Sequence, residues 1–254
     1  MAKASLALLL ALCAAGCAIT PNSDVNAFAR DSGANSFEVF DRDLDSSDAL
    51  VLPVVHDRQT RGPSCGAHVL ASVVNYWRGP GTISGDAVYA STPPANEAGY
   101  SMAELLDMAQ ANGLMASAVR LDRAAIIREL ENGRPVLVPV QLPSIYVQQR
   151  TLPGGEAPVV GFVRNTLIYR AGRVSEFTDL AVVDHYLLVV GYDENLFAER
   201  FVVLEPVMGY RTISFDRLAR YREPFGDAAM VFSTADGRRA HTASANGASG
   251  AGQD

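Results

Sequence analysis

The apolar residues of this chain change their period once, and that change constrains the fold more than any other feature. From Ser64 to Gly133 they recur at three- and four-residue steps between local start and stop signals. Val69, Leu70, Val73, Val74 and Trp77 form one stripe, and Gly79-Pro80-Gly81 ends it. Thr82 or Ser84 is placed to cap a short second helix through Tyr89. Ser101 and Glu104 form a capping box ahead of Leu105, Leu106, Met108 and Ala109, with Gly113 just past the end. Asp122 opens another helix, striped by Ile126, Ile127 and Leu130 and closed by Gly133. Residues 64–133 are therefore predicted to be mostly helical.

From Pro135 onward the runs are strand-like. Residues 135–140, 182–192, 201–204 and 229–233 are the main strand candidates, with 159–163 and 167–169 behind them. A turn is expected at Asp193. Another is expected at residues 205–209, because Pro206 cannot continue a central ladder. Residues 52–55 read as a short strand leading into the helical part, 141–158 as a long Pro- and Gly-containing loop, and 213–222 as a short helix. Helices first and an antiparallel sheet afterwards predict an α+β domain, two layers around one core. A hydrophobic content of 48% supplies that core for one domain, and no internal repeat is visible.

The ends read differently. Lys3, an apolar run over residues 6–12 and Ala14-Ala15-Gly16-Cys17 form a secretory signal, too short for a spanning helix of about 20 residues. The small residues before Cys17 resemble a bacterial lipoprotein processing box, which implies lipidation at Cys17. Ala18 in the next position resembles lipoproteins sent to the outer membrane. The expected organisation is a signal with its lipidation cysteine over 1–17 and a polar tether over 18–50. A folded domain over 51–233 and a disordered tail over 234–254 complete it. Residues 37–40 offer the tether one short docking strand. The partners implied are a membrane, through the anchor, and not nucleic acid: the net charge is −7 and no basic block occurs.

Of three cysteines, Cys13 and Cys17 lie in the leader, so Cys65 is the one thiol of the expected mature domain. That excludes an internal disulfide framework and a thiolate metal cluster there, and no cofactor is implied. Cys65 stands at the start of the first helix. Unpaired backbone N–H groups and the positive helix end favour its thiolate, and Gly66 lets a substrate backbone approach. Its own N–H is one oxyanion donor, and the Gln59 carboxamide is a candidate second. His185 opens the apolar run of the longest strand, where a sheet holds an imidazole rigidly as a base. Such a base needs an orienting group on its other nitrogen. Glu205, at the end of the following strand, is the leading candidate; Asp193 and Asp179 are weaker rivals, and Asp184 points to the opposite face. His68, three residues beyond Cys65, and His56 fit packing or surface roles. Trp77 fits the core.

Gln59, Gly62-Pro63-Ser64-Cys65-Gly66, Asn75-Tyr76-Trp77, His185-Tyr186, Val189-Val190-Gly191-Tyr192-Asp193 and Glu205-Pro206 together resemble the papain-like bacteriocin-processing peptidases. That family includes the double-glycine leader peptidase domains of peptide exporters and stand-alone members. The likeness spans about residues 50–233. It implies a papain-like fold and a peptide or protein substrate. It also implies Cys65 as nucleophile, His185 as base, Glu205 as orienting acid and Gln59 in the oxyanion hole. The family's third position is usually Asp-Pro; Glu205-Pro206 is one methylene longer. No phosphate-binding loop of the Gly-x-x-x-x-Gly-Lys-Ser/Thr kind occurs in the sequence, so the expectation is a member other than the exporter itself. Two other functions fit the same residues. One is acyl transfer or amidase chemistry on the same fold; the other is a catalytically degenerate envelope binding protein.

Overall fold

The computed structural model describes residues 48–60, 62–147, 182–195 and 198–237. Cys17, Asp179, His241, the strand candidates at 37–40, 159–163 and 167–169, and residues 148–158 of the expected loop lie outside them. The elements in order are β1 (Ala49–Val51), α1 (Cys65–Arg78), α2 (Gly85–Ser91), α3 (Met102–Ala111), β2 (Met115–Arg120) and α4 (Arg123–Glu131). They are followed by β3 (Val136–Pro143), β4 (Val182–Asn195), β5 (Ala198–Glu205), β6 (Gly209–Ser214), α5 (Phe215–Arg222) and β7 (Ala228–Ser233). The result is α+β, with helices packed on an antiparallel sheet.

The helices start and stop where local chemistry dictates. Ser84 accepts from Ala87 N–H at the head of α2, and Asp122 accepts from Ala125 N–H at the head of α4. The Ser101–Glu104 capping box is complete. Gly113 and Gly133 both take positive φ after their helices, the conformation that glycine adopts most readily. Val69, Leu70, Val73, Val74 and Trp77 of α1 are all buried. Each such aliphatic side chain contributes roughly 1.5–3 kcal/mol by leaving water.

Among the described residues the sheet has seven strands, in the order β2-β7-β3-β4-β5-β6, with β1 also on β4. β4 organises it. Along one edge, β3 pairs with residues 182–189 and β1 with residues 191–193. Along the other edge, β5 begins only at Leu188. Residues 182–187 therefore have a strand neighbour on one side alone among the described residues. Pro139 sits mid-strand in β3, opposite Tyr186. A proline is tolerated there only where the residue's N position faces away from the ladder.

Five local expectations are corrected. The strand ahead of α1 is Ala49–Val51, not 52–55, and it draws Ala49 and Leu50 out of the expected tether into the sheet. The helical region is interrupted by β2, whose Met-Ala-Ser-Ala-Val-Arg has weak strand propensity and is formed by pairing with β7. The helix expected over 213–222 begins at Phe215, because Ile213 and Ser214 belong to β6. β4 runs through Asp193 to Asn195 instead of turning there, and Asp193 is buried. Loop residues 141–143 likewise continue β3.

Candidate active site

The N-terminus of α1 carries no acidic residue in its first turn, and Ser64 makes no side-chain capping bond. Cys65 occupies the first helical position and is buried. Close packing fixes this corner. A Cβ on Gly66 would stand 3.1 Å from Leu105 Cδ2 and 3.2 Å from Tyr100 Cβ, a tight fit that those side chains would have to relieve by shifting.

Register brings His185 and Glu205 together. Leu188 pairs with Leu204, so Glu205 lies opposite Leu187. His185, two residues along β4, shares that face because side chains alternate. His185 Nε2 donates to Glu205 Oε1 at 2.7 Å. The carboxylate takes two further bonds from its own turn, from Val207 N–H to Oε1 at 3.0 Å and from Met208 N–H to Oε2 at 2.6 Å. It has no solvent exposure. Asp184, of opposite parity, is exposed and accepts from Gln141 Nε2 at 3.1 Å.

Electrostatics join Cys65 to this pair. Burial alone would push the Cys65 thiol up. The charge and hydrogen bond of His185, with amide bonds from Tyr186 and Gly66, outweigh it and hold the thiol below its ordinary value. Burial would likewise lower His185, but the charge and hydrogen bond of Cys65, then those of Glu205, raise it to about 10. Burial opposes ionisation of Glu205 too, and the His185 bond and charge, the Val207 amide and Arg211 win. All three shifts run toward the charged forms: thiolate, imidazolium and carboxylate. With Nε2 engaged by Glu205, the imidazole's bond to Cys65 is made by Nδ1.

Gln59 is buried. Its Nε2 donates to Gly62 O at 2.7 Å, and its backbone N–H donates to Pro206 O at 2.8 Å. The Nε2 group carries a second hydrogen. A cleft of about 230 Å³ opens above Cys65 and His185, walled on one side by Asn96, Gly99, Tyr100 and Ser101 and on the other by Pro139, Tyr186 and Phe225. Gln59 is not among its lining residues. Tyr186 Oη donates to the Tyr100 carbonyl at 2.9 Å and ties the walls together.

His68 is buried, not exposed, and its Nδ1 is paired with Asp57 Oδ1. It serves packing between α1, α2 and the segment before the site. His56 Nε2 bonds the Pro206 carbonyl at 2.8 Å. Trp77 is a core residue, edge-on to Tyr76. Sequence reasoning missed two features. One is the Tyr186 amide, which reaches the Cys65 sulfur from the unpaired edge of β4. The signal for it was Pro139, since a proline opposite Tyr186 marks a position whose backbone groups face away from β3. The other is the clasp of His56 on the turn after Glu205, which leaves no local signature.

No protein-family model matches the chain, and no curated protein matches it. Solved structures similar to it include the following three. A double-glycine-motif protease from an AMS/PCAT transporter, solved with its leader peptide, is 14% identical with a TM-score of 0.43, covering 72% of this chain and 92% of that one. The peptidase domain of Streptococcus ComA, a bifunctional ABC transporter of a quorum-sensing pathway, is 15% identical with a TM-score of 0.44, covering 70% and 97%. A C39-like peptidase from Bacillus anthracis is 12% identical with a TM-score of 0.45, covering 72% and 94%.

Proposed function

We propose that the chain is a papain-like cysteine peptidase in which Cys65, His185, Glu205 and Gln59 act together. The observation that carries this is the bond from His185 Nε2 to Glu205 Oε1 at 2.7 Å, with the same ring holding the Cys65 thiol low. The thiolate attacks a peptide carbonyl carbon, and its electron pair forms the C–S bond while the carbonyl oxygen takes the negative charge. Cys65 N–H and the second Nε2 hydrogen of Gln59 hold that oxyanion. Collapse breaks the C–N bond, and the leaving amine takes the proton from His185. Water then attacks the thioester, giving its proton to His185, and the carboxylic product leaves as the thiolate reforms. Glu205 holds the ring orientation and its charged form throughout.

The edge of β4 over residues 182–187, which has no strand neighbour opposite β3 among the described residues, supports a peptide substrate. Tyr186 directs its N–H to the Cys65 side, and Asp184, two residues away, presents its backbone groups to the same edge. An extended chain in the cleft finds donors and acceptors there.

Iodoacetamide labelling of Cys65 across pH tests the reading. Wild type is expected to react as a thiolate well below the ordinary titration at about 8.5, and His185→Ala is expected to lose that reactivity. An ordinary thiol profile in wild type sinks the catalytic assignment. Hydrolysis and acyl transfer are separated by adding a small amine to the peptide assay: hydrolysis predicts carboxylic product, transfer predicts amide. The lipoprotein-type leader supports anchorage at the cell envelope through a lipid on Cys17. Detergent-phase partition of wild type against Cys17→Ala, expressed as the full chain, tests that anchor; equal partition of both overturns it.

A further inference from the structure

The segment just before the nucleophile is fastened to both halves of the domain. Asp57 N–H donates to Ser72 Oγ at 3.0 Å, and the Asp57 carboxylate holds His68 Nδ1 and accepts from Gly85 N–H at 3.0 Å. These bonds tie the segment to α1 and α2. On the sheet side one carbonyl takes two of its bonds: Pro206 O accepts from Gln59 N–H and from His56 Nε2, each at 2.8 Å. A carbonyl only accepts, so His56 carries its proton on Nε2.

Pro206 stands between Glu205 and the two amides, Val207 and Met208, that hold the Glu205 carboxylate. Lacking an N–H, it offers the turn one polar backbone group, and that group is the one His56 and Gln59 share. The turn that sets the orienting acid and the backbone that sets the oxyanion glutamine thus meet at one oxygen.

We propose that His56 is a positioning residue: by donating to the Pro206 carbonyl it fixes the Glu205 turn and the Gln59 backbone relative to each other, and through them the charge on Cys65 and the oxyanion hole. This rests on the Cys65–His185–Glu205 reading above. Burial holds His56 below its ordinary pKa, against the opposing pull of the Pro206 bond and the charges of Glu205 and Asp57, so the neutral donor form persists at neutral pH. Arg58 acts in the same direction as burial.

The test compares His56→Met, which keeps bulk and loses the donor, with His56→Gln, which keeps an N–H at similar reach. His56→Met is expected to lower kcat for peptide cleavage about tenfold, the loss of one buried bond, with KM little changed. It is also expected to move the Cys65 alkylation profile to higher pH. His56→Gln is expected to restore both toward wild type. Equal behaviour of the two variants, whether both normal or both impaired, overturns the inference while a low wild-type thiol profile leaves the peptidase reading standing. An ordinary wild-type thiol overturns both. Should His56→Met fail to fold, the imidazole nitrogen shifts of His56 in the wild-type protein decide: the Nε2–H form at pH 7 is expected, and the Nδ1–H form overturns the proposal.

Discussion

Glu205 meets His185 Nε2 at 2.7 Å while its other bonds go back to its own turn, at Val207 and Met208. The longer side chain is therefore used: it leaves β5, folds over the Pro206 turn and still reaches the ring. The carboxylate of an aspartate here would start about one C–C bond, about 1.5 Å, nearer the backbone. Glu205→Asp is expected to keep the charge but weaken either the imidazole bond or the turn bonds, giving a partial loss of activity. Glu205→Ala removes all three contacts. It is expected to lower kcat/KM on the order of 10²-fold and stability by about 3 kcal/mol, because the buried imidazolium loses one of its two charged partners. Peptide kinetics and urea unfolding check both; an Ala variant with wild-type kinetics excludes Glu205 from the site.

Stability should show a plateau near neutral pH. Cys65 is held low when folded, so its contribution is whole above the unfolded value of about 8.5 and is lost as pH falls toward its folded value. His185 is raised to about 10. Its contribution is whole below the unfolded value of about 6.5 and is lost as pH rises through 10. Between about 6.5 and 8.5 the two slopes cancel, since one proton resides on the pair in either state. Stability is expected to fall on the acid side as the thiolate is protonated. A further fall is expected below about 4.5 as Glu205, depressed when folded, takes its proton. On the alkaline side it is expected to fall toward 10. Cys65→Ala removes the first cause of the raised His185 and should shrink the alkaline fall. Melting temperatures measured across pH for both proteins decide; an alkaline limb identical in the two contradicts the ion pair.

On the proposed mechanism, Gln59 separates making the nucleophile from holding the oxyanion. Gln59→Ala keeps its backbone bond to Pro206 O and leaves the Cys65–His185–Glu205 row in place. The expected result is a kcat loss of roughly 10²–10³-fold, the usual effect of removing one oxyanion donor. KM and the alkylation profile should be nearly unchanged. A variant in which alkylation falls in step with kcat would instead make Gln59 a structural residue, acting through its bond to Gly62 O.

These elements differ in how far the sequence alone reveals them, and the difference is one of range. The Ser101–Glu104 box and the Ser84 and Asp122 caps are decided within four residues, so they can be read from the chain. The meeting of His185 with Glu205 is also accessible, because two successive strands place them on one face. β2 is not: its Ala-Ser-Ala core becomes a strand only beside β7, more than a hundred residues away. The bond from His56 to Pro206 joins positions 150 residues apart, and nothing local to either announces it. The cleft wall at 96–101 is likewise set by how that segment rests on the chain ahead of α1. A Cβ on Gly99 would stand 3.3 Å from the Pro63 carbonyl oxygen.

Gly191 tests how much the site depends on β1. It lies beside a register shift in the β4–β5 ladder and directly under β1, paired with Val51. A Cβ there would overlap the Leu50 carbonyl oxygen and stand 2.9 Å from Val51 Cα. Those are backbone atoms, so no side-chain rotation relieves the clash and β1 itself must move. Gly191→Ala is expected to cost about 1–3 kcal/mol, the usual range for overpacking. It should also release residues 49–55 to faster amide exchange than the rest of the sheet. Because that segment leads directly to His56 and Gln59, activity is expected to fall with it while the alkaline limb of stability, set by His185 and Cys65, persists. Exchange rates unchanged over residues 49–55 would mean that β1 absorbs the methyl, and the predicted loss of activity would then fail with it.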